Sequence, residues 1–219
     1  MIVNERVRDY ICSLERSRGA CLDRIEEEAR EQGVPILRKE TAAFLETLVA
    51  SLKPKAILEV GTAVAYSALL MSRAMPEDCR ITTIESYEPR IVKAKENLRL
   101  AGEERIQLLE GDATDILKTL EGPYDFIFMD AAKGQYLHWL DDILRLLSAG
   151  GVLLSDNVLQ EGRIVESRFA IERRDRTIHA RMREYLFVLT HREDLLSAVL
   201  PIGDGLAMST KLDKTIKNR

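Results

Sequence analysis

The chain has 219 residues, is 46% hydrophobic and 31% charged, and carries a formal net charge of −4. That balance fits one large globular domain over residues 1–219 and excludes a disordered chain; the negative sign argues against a protein that coats nucleic acid non-specifically, though not against a local basic patch. Cys12, Cys21 and Cys79 are odd in number and scattered, the amino terminus is charged by Glu5-Arg6 with no signal-peptide core, and no apolar run nears the roughly 20 residues that cross a bilayer, so a reduced, cytoplasmic protein is expected.

In chain order, residues 1–55 read as three helices, broken near Gly19 and at Gly33-Val34-Pro35; this N-terminal region suits a lid or an interface. Ala56 to Val60 reads as a buried strand ending at Gly61, followed by a helix from Ser67 to Met75 that Pro76 stops. Ile81 to Ile84 is a second strand, and Pro89 opens a helix that Gly102 ends. Ile106–Leu109, Asp125–Met129 and Val152–Leu154 read as further strands. Runs that are apolar on both faces require a parallel sheet covered by helices on both sides. The repeated strand–helix order therefore predicts an α/β fold with a doubly wound sheet. After Arg163 a charged helical stretch is expected to run to about Thr190. Leu195–Ile202 and Leu206–Thr210, joined by Gly203-Asp204-Gly205, predict an antiparallel hairpin at the sheet edge.

Ligands of an open parallel sheet bind beyond the C-terminal strand ends, where strand order reverses. Each of the five strands carries an acid there: Glu59, Glu85, Asp112, Asp130 and Asp156. Helix capping explains any one of them and explains all five poorly. Gly61 followed by Glu85 suggests a nucleoside site, in which the acid accepts from both ribose hydroxyls. A dinucleotide loop needs G-x-G-x-x-G to seat a pyrophosphate, whereas Gly61-Thr-Ala-Val-Ala65-Tyr-Ser67 has one glycine. With Asp112-Ala113 available for an adenine amine, these residues fit the adenosine half of S-adenosylmethionine (SAM).

Asp130, Asp156 and Asn157 end neighbouring strands and suggest a cation. Hard oxygen donors without Cys or His favour Mg²⁺. The competing reading of Asp156-Asn157 is a plain turn. Lys133, three residues beyond Asp130, is either a solvated surface lysine or a base. His138 and Trp139 follow as helix packing residues, with a place in an acceptor wall as the alternative.

With these residues in view, the sequence resembles the cation-dependent class I O-methyltransferases, the group that includes catechol and caffeoyl-CoA O-methyltransferases. The resemblance rests on Glu59-Val-Gly61-Thr-Ala-Val-Ala-Tyr-Ser67, Gly111-Asp112-Ala113, Asp130-Ala-Ala-Lys133-Gly-Gln-Tyr136, Ser155-Asp156-Asn157-Val158-Leu159 and Gly203-Asp204-Gly205-Leu206. Val34-Pro35-Ile36, Lys133 to Tyr136 and Pro201 to Ser209 are similar to the bacterial branch that methylates 5-hydroxyuridine at the tRNA wobble position. The resemblance implies a Rossmann-like, mostly parallel seven-stranded sheet. It also implies SAM contacts at Leu37, Gly61, Ser67, Glu85, Asp112, Ala113 and Asp130, metal ligands at Asp130, Asp156 and Asn157, and Lys133 as base. Ala65 and Leu37 depart from the glycine and methionine usual in the family.

The implied reaction transfers the SAM methyl group to a hydroxyl with an adjacent oxygen, on a divalent metal, with Asp130 and Lys133 as the catalytic pair. A catechol and 5-hydroxyuridine both present such an oxygen pair. Arg163, Arg168, Arg173, Arg174, Arg176, Arg181 and Arg183 tilt the choice toward tRNA, against a solvated helix with interleaved acids. The family implies a homodimer. A non-catalytic SAM-binding module is the remaining alternative, and it would not need Asp130, Asp156 and Asn157 together.

Overall fold

The computed structural model describes residues 2–213. In it, helices α1 (Glu5–Ser13), α2 (Ala20–Glu31) and α3 (Lys39–Leu52) precede strand β1 (Ala56–Val60). There follow α4 (Tyr66–Ala74), β2 (Arg80–Glu85), α5 (Glu88–Ala101), β3 (Ile106–Glu110), α6 (Ala113–Thr119) and β4 (Tyr124–Met129). The chain continues through α7 (Tyr136–Leu146), β5 (Leu147–Ser155), α8 (Arg176–His191), β6 (Leu195–Leu200) and β7 (Leu206–Lys211). The strands form one seven-stranded sheet in the order β3-β2-β1-β4-β5-β7-β6. Its core pairs are parallel, and β7 runs antiparallel to both β5 and β6, as the sequence predicts.

Side-chain alternation along the central strands splits the core in two. Phe126 and Phe128 of β4 join Ile57, Ile81 and Leu154 against α2, α3 and α4. Ile127 and Met129 join Leu58, Ile84 and Leu153 against α6, α7 and α8. Helix α4 is buried from Tyr66 to Ser72 because it lies between α3 and the sheet. Helix α5 has Pro89 in its first turn and ends on Gly102 at φ 64°, whose N–H closes on the Leu98 and Arg99 carbonyls, so its punctuation works as expected.

Helix α6 adds to the elements that the sequence pattern marks; it starts on Asp112, whose Oδ1 accepts from the Thr114 amide. One expectation needs correction. The charged stretch is not one helix from Arg163 to Thr190. A short 3-10 turn spans Gln160–Val165, an irregular segment follows, and α8 starts at Arg176. The Ile164 and Ile171 carbonyls accept from the Arg183 and Arg176 side chains, so the segment is held as a loop against α8. Between the buried anchors Ile164 and Ile171 the chain offers no apolar residue at helical spacing that faces the core. Among the described residues no helix is long and apolar enough to cross a membrane.

Candidate active site

Strand order reverses between β1 and β4, and a cavity of about 660 Å³ opens there at the C-terminal strand ends. Its wall includes Leu37, Gly61, Glu85, Asp112, Ala113 and Asp130. Lys133, Asp156 and Asn157 complete the set that the sequence pointed to. Ser67 stands apart, behind the wall, where its hydroxyl donates to Glu59.

The loop after β1 is shaped by close backbone approaches. Gly61 has φ 104°, and a Cβ there would sit 2.1 Å from the Asp130 carbonyl oxygen. The glycine thus lets β1 and β4 end side by side, which brings the cavity floor together. Ala63 and Ala65 also take left-handed backbone, at φ 46° and 65°. This accounts for glycine as the commoner residue at the Ala65 position. The Ala63 amide donates to Glu85 Oε2 at 2.9 Å, and the Ser86 and Tyr87 amides donate to Oε1, both at 2.9 Å. Glu85 is therefore held by three backbone donors while it lines the cavity.

Below this loop Glu59 is fully buried, with Ser67 and Thr83 hydroxyls donating to its two oxygens. Burial pushes the carboxyl up to about 7, against the pull of those two hydroxyls. Thr83 Oγ1 also lies 2.6 Å from Thr62 Oγ1, so the network reaches the cofactor loop.

Asp112 both caps α6 and lines the cavity. The Thr114 hydroxyl and amide hold it below the usual carboxylate range. Thr114 Oγ1 in turn accepts from Trp139 Nε1 at 3.1 Å. Trp139 is buried, as a packing residue is expected to be, and one side of it reaches the cavity wall. Tyr87, Arg90 and Thr41 belong to the wall as well, and sequence reasoning missed all three. They carry no motif; the exposed Tyr87 under the Arg90 guanidinium, and the buried Thr41 hydroxyl with no partner among the described residues, emerge only from the fold.

Pairing of Met129 with Ser155 sets Asp130 and Asp156 side by side. Tyr136 fixes this juxtaposition. Its hydroxyl donates to the Met129 carbonyl at 3.0 Å, lies 3.4 Å from the Asp156 carbonyl, and accepts from the Ala131 amide at 3.2 Å. Burial first, and then the neighbouring Asp130 charge, push the Asp156 carboxyl up to about 7. Asn157 takes left-handed backbone at φ 57°, which asparagine tolerates, and its N–H donates to Asp156 Oδ1 at 2.6 Å. Lys133 Nζ lies 3.3 Å from Asp130 Oδ1. Asp130, Asp156 and Asn157 all line the cavity, and their side chains offer oxygen donors of the kind a hard divalent cation prefers.

The mouth is closed on one side by Arg38, which pairs with Glu161 Oε1 at 2.9 Å and Asp204 Oδ1 at 3.2 Å. The Glu161 amide also donates to Asp204 at 3.0 Å. The Gly203-Asp204-Gly205 turn thus anchors the loop that follows Asn157.

A family model described as O-methyltransferase matches residues 15–212. A catechol O-methyltransferase of Niastella koreensis is 35% identical over 144 residues, 62% of this chain and 65% of that one. A Staphylococcus aureus structure provisionally named a caffeoyl-CoA O-methyltransferase superposes with a TM-score of 0.88 at 30% identity, covering 94% of this chain and 100% of that one. The SAH-bound Podospora anserina methyltransferase PaMTH1 superposes with a TM-score of 0.85 at 27% identity, covering 96% and 97% of the two chains. Together with the cavity at the C-terminal strand ends, these matches show that the chain belongs to the O-methyltransferase family, as a SAM-dependent enzyme of the catechol and caffeoyl-CoA type.

Proposed function

We propose that this chain is a Mg²⁺-dependent O-methyltransferase whose acceptor presents a hydroxyl beside a second oxygen. In this reading the acceptor is 5-hydroxyuridine at the tRNA wobble position, and the product is 5-methoxyuridine. The observation that carries the metal is the Asp130–Asp156 pair at adjacent strand ends, with Asn157 beside it and Lys133 at 3.3 Å. Asp130, Asp156 and Asn157 would hold the ion, which supplies Lewis-acid polarisation of the acceptor oxygens when bound. SAM supplies a methyl group on a sulfonium, and Glu85 and Asp112 orient its adenosine portion.

The chain's own residues then manage position and proton. Leu37 and Trp139 exclude water from the cavity wall. Lys133 Nζ, as the neutral amine, would take the proton of the acceptor hydroxyl and become an ammonium beside Asp130; the new O–CH₃ bond forms as the S–CH₃ bond breaks, leaving a neutral thioether. Support for tRNA comes from the similarity of the Lys133–Tyr136 and Pro201–Ser209 segments to the bacterial tRNA branch, and from the arginines between 163 and 183. A small catechol acceptor is the second reading, favoured by the name of the Niastella koreensis relative. Two copies of the chain form part of the proposal, supported by Val7, Tyr10 and Ile11 left exposed on α1 and Leu14 just after it.

Methylation assays with tRNA bearing 5-hydroxyuridine and with free catechol, each with Mg²⁺ and with chelator, test both points. Transfer to tRNA that chelator abolishes is the expected result. Full activity in chelator removes the metal; transfer to catechol alone moves the acceptor to the small-molecule class.

A further inference from the structure

Residues 161–184 carry seven arginines against five acids, in a chain whose net charge is −4. The fold divides those arginines sharply. Arg163 pairs with Asp175, and Arg174 with Glu172. Arg176, Arg181 and Arg183 each donate to a backbone carbonyl, of Ile171, Gly134 and Ile164 respectively. Arg168 and Arg173 are exposed with no hydrogen-bond or ion-pair partner among the described residues.

Arg168 borders a cleft of about 610 Å³ between the segment after Ile164 and the first turns of α8. Arg183 and His179, one helical turn apart and so on one face of α8, line its other side. His179 is only 3% exposed, yet its Nε2 has no hydrogen-bond partner among the described residues. A buried, unpartnered ring nitrogen in a cleft flanked by two guanidinium groups lacks a ligand atom. Beside the cleft, Phe169 and Val165 are 86% and 81% exposed. Two large apolar side chains so exposed on one short segment, rimmed by arginines, make a surface suited to a partner.

We propose that this cleft is a second RNA-binding subsite, where Arg168, Arg183 and His179 hold a backbone phosphate and Phe169 stacks on an unpaired base. Guanidinium groups beside an open aromatic ring suit single-stranded nucleic acid, whose phosphate and base faces they match in turn. An acidic peptide would match the arginines but leave Phe169 uncovered. The cleft also lies close to the chemistry. Arg181 Nη1 donates to the Gly134 carbonyl at 3.0 Å, so α8 packs directly on the Lys133 loop. The cleft is then about one helix diameter from Lys133, on the order of 10 Å. A loop nucleotide in the active cavity would place its neighbours there.

The subsite rests on the RNA-acceptor reading above for the identity of its ligand, and it is tested separately. The probe for binding is an anticodon-type RNA stem-loop with uridine in the loop, which asks nothing of the methyl-transfer chemistry. Arg168→Gln and Phe169→Ala alter exposed side chains, and SAM affinity serves as the internal reference for an intact fold. Each variant is expected to weaken RNA binding at least about fivefold. Arg168→Gln should also reduce the slope of log affinity against log salt by about 1, and Arg168→Lys should restore that slope. Unchanged RNA binding in both variants overturns the subsite, and so does a wild-type protein that binds no RNA. A change in oligomeric state with Phe169→Ala, without loss of RNA affinity, assigns the face to a second copy instead and also overturns it. If the wild type binds RNA through this cleft but transfers no methyl group to a second stem-loop in which 5-hydroxyuridine replaces that uridine, the subsite stands and the acceptor reading falls.

Discussion

Replacing Glu59 with glutamine isolates the cost of keeping an ionisable group under the cofactor loop. The carboxyl is fully buried and its folded-state value is pushed from 4.5 up to about 7, chiefly by burial. The unfolded chain therefore loses this proton first as pH rises, and native stability falls between pH 4.5 and about 7, then levels off. At about 1.4 kcal/mol per unit, ionisation costs the native state about 3 kcal/mol on the alkaline side. The amide has nearly the same shape and does not titrate. Its hydrogen bonds can also be kept. Ser67 still donates to the carbonyl oxygen, while Thr83 turns to donate to Thr62, 2.6 Å away, and accepts from the new NH₂. Urea denaturation of both proteins at about pH 5 and about pH 8 should therefore show Glu59→Gln gaining on the wild type by about 2–3 kcal/mol between the two conditions. A stability difference that does not change with pH would refute the reasoning, because it would mean that Glu59 carries no ionisation cost.

Three further outcomes follow from the site. Asp156→Ala should abolish methyl transfer while SAM affinity, read by calorimetry, stays within about threefold of wild type; retained transfer would remove Asp156 from the metal set. Lys133→Met should lower kcat by about 10²–10⁴ and flatten the acidic limb of the pH–rate profile, whereas an unchanged profile would leave Lys133 without a proton to move. Tyr136→Phe removes the hydroxyl between the Met129 and Asp156 carbonyls and the Ala131 amide, so it should cost about 1–3 kcal/mol in denaturation and weaken Mg²⁺ activation; unchanged Mg²⁺ activation would show that Asp130 and Asp156 hold their places without it.

Much of the scaffold was legible in the sequence because its signals are local. Apolar runs marked β1, β2, β4 and β5, and Pro89 and Gly102 marked the ends of α5. The Gly203-Asp204-Gly205 link marked the edge hairpin that β6 and β7 form. The row of strand-end acids was legible for the same reason, since a parallel sheet puts every C-terminal strand end on one side. The stretch from Arg163 misled because its charge pattern resembles a solvated helix. The break depends on Arg176 and Arg183 of α8 capturing the Ile171 and Ile164 carbonyls, a contact that only the packing of α8 on this segment provides.

Sequence alone therefore determined which polar groups the strand ends offer: the carboxyls of Glu85, Asp112, Asp130 and Asp156 and the amide of Asn157. Tertiary structure decided how those groups are held and which others join them. It turned Ser67 inward to Glu59, gave Gly61 its reason in the Asp130 carbonyl, and made Tyr136 the pin between two strand ends. It also brought Thr41, Tyr87 and Arg90 to the cavity and released Arg168 and Phe169 from the protein's own contacts. The physical reason is one of range. Periodicity and turn chemistry act over a few residues, whereas burial, pKa and the partner of a side chain depend on atoms that only strand register and helix packing bring together.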